Sequence, residues 1–235
     1  MEALDASMPG VSPGIYDEKD FIAISEIAHA EAGIVLPEGK RMLVYSRLAP
    51  LVRESGTGTF TAYLQLVRDN AGQRARTVAA LTTNHTYFNR EAHHFEHFAD
   101  HVRPALLRDL MAGDPVRIWS AGCSSGEEVW TLAMTLLGPD RAEGMRIAGK
   151  DLRILASDLA DHALVAAQAA SYEAEAMAAV PDALTRLWTT RTGTRAQFSP
   201  ADHAGGGLGA GDPGGFNDGS ADGGSRTGDG RAWRR

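Results

Sequence analysis

Apolar residues in the first eighty positions recur every three or four steps, the spacing of one helix face. Phe21, Ile24, Ile27 and Ala28 mark a first helix, which Asp17 can cap and Ala32-Gly33 stops. Met42, Leu48 and Leu51 mark a second, with Pro37 suited to its first turn and a break at Ser55-Gly56-Thr57-Gly58. Phe60, Tyr63, Leu64 and Val67 share a face of a third helix that Thr59 can cap, and a fourth is predicted from Gln73 to about Leu81. Short connections join these helices, so residues 16–81 read as a small helical domain. Residues 82–112 read as a linking segment that includes a helix rich in histidine. From Val116 the pattern changes to α/β. It predicts a strand at 116–121, a helix at 126–137, a Gly-rich connection at 138–149, a strand at 153–157 and an Ala-rich helix from about Asp161. That is a βαβ unit with a parallel pair of strands.

The two ends of the chain have a different character. Residues 1–15 carry Pro9, Gly10, Pro13 and Gly14 and read as a loose arm. Residues 189–235 read as a disordered tail. Over 201–235, Gly, Asp, Ala, Ser and Arg dominate, and apolar side chains are too few to offset the entropy of ordering. That composition also matches out-of-frame translation of GC-rich coding DNA.

Composition narrows the function classes. An apolar content of 43 % permits a packed core, and a net charge of −7 without a long basic run argues against wholesale nucleic-acid binding. One cysteine, Cys123, excludes a disulfide framework. No apolar run approaches the roughly 20 residues of a membrane helix. The N-terminus lacks the pattern of a secretion signal, so a soluble cytoplasmic protein, with no membrane insertion, is expected.

The segment Arg117-Ile-Trp-Ser-Ala-Gly-Cys-Ser-Ser-Gly-Glu-Glu128 carries the strongest chemical signal. It reads as strand, glycine turn, helix. Glycines let the backbone bend sharply and approach a ligand closely. An acid just past the turn suits a ligand with positive charge and suits a bare phosphate poorly. A nucleoside cofactor with a cationic group meets both conditions, and S-adenosylmethionine is one. The same residues match Gly-x-Ser-x-Gly with Ser124 at the centre, as in a hydrolase nucleophile elbow. That elbow should follow several strands and an oxyanion-hole glycine run, whereas helices precede this one. Cys123 reads as a small packed residue. His93, His97 and His101 recur every four residues along one face, but neither His-Glu-x-x-His nor a cysteine cluster accompanies them, so no metal site is expected.

A second informative segment is Thr82-Thr-Asn-His-Thr-Tyr-Phe-Asn-Arg-Glu-Ala-His-His-Phe95. Asn84 and Thr86 offer short polar contacts, and Arg90 offers a fixed fork for a carboxylate. With the 117–128 segment and Ile154-Leu-Ala-Ser-Asp-Leu159, it resembles the hallmark segments of CheR-type chemoreceptor methyltransferases. The helical region agrees through Gly33-Ile-Val-Leu-Pro-Glu-Gly-Lys-Arg-Met-Leu-Val-Tyr-Ser-Arg-Leu48. The resemblance covers about residues 16–180. It implies a helical domain joined to a Rossmann-like methyltransferase domain, placed here at 113–188, that binds S-adenosylmethionine and methylates glutamate side chains on the cytoplasmic part of bacterial chemoreceptors. A monomer is expected.

The resemblance implies cofactor contacts from Asn84, Thr86, Arg90, Gly122, Gly126, Glu127 and Asp158. Asp158 follows the second strand, where an acid can accept from ribose hydroxyls; it equally suits a cap on the next helix. Glu127 suits the amino group of the methionine portion, and equally suits the positive end of its own helix. Arg90 is a candidate for orienting the substrate carboxylate, with Arg103 and Arg108 behind it. Lys40 and Arg47, seven apart, share a face that is a candidate for receptor docking; an ordinary solvated face is the alternative. Asn89 stands where the family usually has a second Phe. After residue 188 the family's later Asn- and Tyr-bearing strand and its small β-subdomain are not legible. An incomplete methyltransferase domain is therefore expected, in a C-terminally truncated or frameshifted chain. The alternative function is a catalytically inactive remnant that retains only a receptor-docking helical domain.

Overall fold

The computed structural model describes residue 12 and residues 14–198. The Gly-rich stretch at 201–235 and most of the arm at 1–15 lie outside the described residues. Ile15, inside the expected arm, is held: its carbonyl accepts from the Phe60 N–H at 2.9 Å.

The chain divides into two compact units, one comprising residues up to Thr86 together with Asp158–Ala166, the other Tyr87–Ser157 with Ala167 onward. The first unit is built on α1 (Glu18–Ala32), α2 (Arg41–Glu54), α3 (Phe60–Asp69) and α4 (Ala71–Leu81). Asp17 opens α1 through a capping box: its carboxylate accepts from Asp20 N–H at 2.9 Å, and its own N–H donates to Asp20 Oδ2 at 3.1 Å. Asp20 is buried because it also accepts from the Thr61 hydroxyl at 2.8 Å. Thr59 caps α3 as its position suggests. Ile24, Ala28, Val44, Leu48, Phe60, Tyr63 and Val67 form the centre of one closed core. Two boundaries differ from expectation. Pro37 precedes a single 3₁₀ turn (Glu38–Lys40), so α2 starts only at Arg41. Helix α4 starts at Ala71 rather than Gln73, because the Asn70 side chain accepts from the Gln73 N–H at 3.0 Å.

The second unit begins inside the expected linking segment. It runs α5 (Ala92–His97), a π-helical turn (Phe98–Val102), α6 (Arg103–Ala112), β1 (Val116–Ala121), α7 (Glu127–Leu137), α8 (Arg141–Ala148) and β2 (Leu152–Ser157). After α9 (Asp161–Ala169), most of which is assigned to the first unit, it continues with β3 (Ser171–Glu173), a 3₁₀ segment (Ala174–Ala179), α10 (Asp182–Trp188), β4 (Thr189–Thr192) and β5 (Arg195–Phe198). Strands β1 and β2 are parallel and in register from Val116↔Leu152 to Ala121↔Ser157. One face of this pair, with Val116, Ser120, Leu152, Ile154 and Ala156, is buried. The other shows Trp119, 67 % exposed, and its register partner Leu155, 49 % exposed.

Two regions depart from the sequence reading. The Gly-rich connection holds a helix, α8, capped by Asp140 through the Glu143 N–H at 2.7 Å. Its Gly144 is there for close approach: a Cβ would lie 2.4 Å from the Trp188 ring. Residues 189–198, expected as tail, form two strands of an antiparallel sheet in the order β3-β5-β4. Locally, the polar residues around Gly193 read as tail. Burial of Ala196 and Phe198, the latter 4.4 Å from the Trp130 ring centroid, makes them strands. A small antiparallel sheet therefore exists where none was legible.

Candidate cofactor site

The backbone turns at the carboxyl end of β1. Gly122 and Cys123 both donate N–H bonds to the Ser157 carbonyl, at 2.7 and 2.9 Å, which ties the turn to the end of β2. Gly122, Ser124 and Gly126 have φ of 79°, 51° and 96°. Only glycine fits at 126, since a Cβ would lie 2.8 Å from both the Ala167 Cβ and the Tyr172 hydroxyl oxygen. At Gly122 a Cβ would meet no atom within 4 Å, so that flank of the turn is open.

Glu127 opens α7. The Ser125 hydroxyl lies 3.0 and 2.7 Å from its two carboxylate oxygens and donates to the carboxylate. Glu128 accepts from the Ser120 hydroxyl at 2.8 Å. Both acids lie in the first turn, where the helix dipole favours negative charge.

The Tyr87–Glu91 turn is fastened to the same helix. Asn89 N–H donates to the Thr131 hydroxyl oxygen at 3.2 Å, and that hydroxyl donates to the Glu127 carbonyl at 2.7 Å. The Asn89 side chain donates to the Ala179 carbonyl at 2.8 Å. Asn89 sits at φ 55°, a conformation asparagine tolerates better than phenylalanine does, so the departure from the family's usual Phe has a local rationale. Phe88 is fully buried, edge-on to Tyr172 with ring centroids 4.8 Å apart. Arg90 follows, exposed, with its guanidinium 5.9 Å from the Tyr87 ring centroid.

The α/β unit thus brings Gly122, Gly126 and Glu127 onto one turn and holds the backbone beside Arg90 against α7. Asn84, Thr86 and Asp158 belong to the other compact unit. Asn84 Oδ1 accepts from the Thr82 hydroxyl at 3.1 Å. Thr86 is half-buried. One Asp158 carboxylate oxygen accepts from Ala160 N–H at 2.8 Å, a local turn that precedes α9.

Two arginines read differently in three dimensions. Arg103 donates to the Leu136 carbonyl at 2.8 Å and pairs with Glu143, so it terminates α7 rather than waiting for substrate. Arg47 donates to the carbonyls of Leu81 and Thr82 and, at 2.8 Å, to the Thr83 hydroxyl. It ties α2 to the start of the 82–95 segment, which its place on a basic face did not suggest. Lys40 is exposed. Among the described residues no group of three or more His, Cys, Asp or Glu side chains is placed to hold a metal ion, and no helix is long and apolar enough to cross a membrane.

Thr131 and Tyr172 join the site with no sequence motif to mark them. Tyr172 is buried and donates to the Ser125 carbonyl at 2.6 Å. Burial, and then the negative charge of Glu127, raise its phenol well above the usual value, so it remains a donor at neutral pH. The only local signal was a short Ser-Tyr-Glu run after an Ala-rich helix.

Comparison with known proteins agrees with this architecture. Residues 19–82 match the family model described as CheR methyltransferase, all-alpha domain, and residues 84–201 match CheR methyltransferase, SAM binding domain. A "Probable chemotaxis protein methyltransferase" of Rhizobium etli is 42 % identical over 164 residues, 68 % of this chain and 59 % of the relative. The "Chemotaxis protein methyltransferase" of Escherichia coli is 37 % identical over 176 residues, 74 % of this chain and 57 % of the relative. "Chemotaxis protein methyltransferase 1" of Pseudomonas aeruginosa is 33 % identical over 186 residues, 77 % of this chain and 67 % of the relative. The chain spans about three fifths of the length of the first of these relatives. With both domains matched in order, and with a strand, glycine turn and acid-bearing helix at the heart of the second, this chain belongs to the CheR methyltransferase family.

Proposed function

We propose that this protein binds S-adenosylmethionine and, as a cytoplasmic monomer, methylates glutamate side chains on the cytoplasmic part of bacterial chemoreceptors. The observation that carries the reading is the turn at 122–126 with the Glu127 carboxylate held beside it by Ser125. Those residues fit the donor. The open flank of Gly122 admits a close-lying ligand, and an anchored carboxylate suits the amino group of a methionine arm. Asp158 suits the ribose hydroxyls, and Asn84, Thr86 and Arg90 are the further contacts in this reading.

When bound, S-adenosylmethionine supplies a methyl group on a positively charged sulfur. A substrate glutamate is already ionised near neutral pH, with an unperturbed pKa of about 4.3, so no protein base is required. Held by Gly122, Gly126, Glu127 and Asp158, the donor would present that methyl to a substrate carboxylate oxygen, whose new bond to carbon would replace the carbon–sulfur bond and leave the electron pair on sulfur. The chain's task is to align the two reactants and exclude water. In this reading Arg90 orients the substrate carboxylate through its fixed pair of donors.

The direct tests are calorimetry with S-adenosylhomocysteine, the demethylated product, and transfer of radiolabelled methyl to receptor membranes. Saturable binding and base-labile label on receptors are expected. Failure of the folded protein to bind the product would remove the assignment. Docking of the receptor by the basic face is also proposed, and the hydrogen bonds of Arg47 concentrate that reading on Lys40. Lys40→Glu should weaken receptor binding at low salt while leaving product binding unchanged. Equal receptor affinity for wild type and K40E would end the docking proposal.

A further inference from the structure

We propose that Tyr172 is a positioning residue for the donor: it latches the Ser125 carbonyl and thereby sets the carboxylate of Glu127. The inference rests on the cofactor reading above, but on different observations.

The latch has three parts. The phenol donates to the Ser125 carbonyl at 2.6 Å, a short bond that fixes the orientation of that peptide. The Ser125 hydroxyl in turn donates to the Glu127 carboxylate. Between them lies Gly126, and the Tyr172 hydroxyl occupies the space beside its Cα, 2.8 Å from where a Cβ would be. The turn therefore has a hydrogen bond on one side of Gly126 and a packed oxygen at Gly126 itself. A bare glycine-rich turn would sample many conformers; this one is restrained by a group 47 positions downstream in strand β3.

The latch is itself braced. Phe88 meets the Tyr172 ring edge-on, and β3 is paired with β5 through Tyr172↔Ala196. With its phenol held protonated by burial, Tyr172 donates at any pH the protein meets in a cell.

The effect should be specific to one end of the donor. Glu127 faces the amino-acid arm in this reading, so loosening it should penalise ligands that carry the arm. Tyr172→Phe removes the donor and keeps the ring; Ser125→Ala removes the second link and leaves the backbone carbonyl. For each, calorimetry is run with S-adenosylhomocysteine and with 5′-methylthioadenosine, which lacks the amino-acid group. Thermal melts establish that each variant is folded.

Each variant should bind S-adenosylhomocysteine about tenfold more weakly, the loss of one hydrogen bond's worth of positioning, and methylthioadenosine within about twofold of wild type. The double variant should be little worse than either single one, because both break the same chain of contacts. Equal weakening for both ligands would show a merely structural role and overturn the inference, as would unchanged binding by Y172F or by S125A. Absence of S-adenosylhomocysteine binding by the wild type would instead overturn the cofactor reading, and this inference with it. If Y172F does not fold, the S125A result decides by the same criterion.

Discussion

The helical unit and the α/β unit solve the burial problem differently. Helices α1 to α4 close on one another, so the apolar stripe of each has a partner within the unit. Strands β1 and β2 are buried on one face only; on the other, Trp119 and Leu155 meet solvent. Parallel sheets are ordinarily covered on both faces. The contrast shows that a closed core needs only local periodicity, whereas a parallel sheet needs partners brought from elsewhere in the chain.

The contrast can be broken most sharply in the core of the helical unit. Phe60 is fully buried there, so Phe60→Ala should cost the unit about 3–5 kcal/mol. The described tryptophans, Trp119, Trp130 and Trp188, all lie in the α/β unit. A melt followed by tryptophan fluorescence should therefore be nearly unmoved while the far-ultraviolet dichroism gains an early transition. A parallel shift of both signals would mean that the two units unfold as one.

The next largest effect is expected in the other unit. Gly126→Ala places a Cβ 2.8 Å from Ala167 and from the Tyr172 hydroxyl at φ 96°. The overpacking and backbone strain should cost about 1–3 kcal/mol each and abolish measurable product binding. Here the fluorescence melt should shift and the helical unit should not. Retained binding with wild-type affinity would contradict the geometry of the turn.

A smaller effect should appear in acid. Two hydrogen bonds from Arg117, both at 2.8 Å, hold the Asp151 carboxyl below its usual range. The folded value is thus lower than the unfolded one. Its stabilisation is present above the ordinary carboxylate range and is lost as pH falls below about 4 and through the folded value. The fluorescence melt of wild type should fall more over that interval than that of Asp151→Asn; identical slopes would show that the pair contributes nothing.

The smallest change in stability is expected at the bare sheet face. Trp119→Ser with Leu155→Ser should alter the melting free energy by no more than about 0.5 kcal/mol per site. It should still reduce concentration-dependent light scattering, since an exposed apolar patch favours association. A large destabilisation would mean that this face is covered in solution.

The same contrast governs what could be read from the sequence. Helices α1 to α4 were legible because Asp17, Thr59 and the Phe60–Val67 face act within a few residues of one another. The first strand, glycine turn and helix were legible because the turn demands glycine locally. The Arg47 contacts to Leu81 and Thr83, 34 and 36 residues away, were not legible. Neither was the strand character of 189–198, whose Thr- and Arg-rich composition reads as tail until Phe198 meets Trp130. Asn84, Thr86, Arg90 and Asp158 were named through the resemblance rather than through spacing.

Local pattern alone specifies α1 to α4, β1, β2, the capped ends and the glycine turn with its acids, because each depends on neighbours within one or two turns of backbone. Packing of the whole chain is what brings Tyr172 to Ser125, hangs Asn89 on Thr131, and sets Arg47 and Arg103 on carbonyls. Such contacts join residues tens of positions apart, and hydrogen bonds of that kind depend on distances and angles that no local pattern encodes.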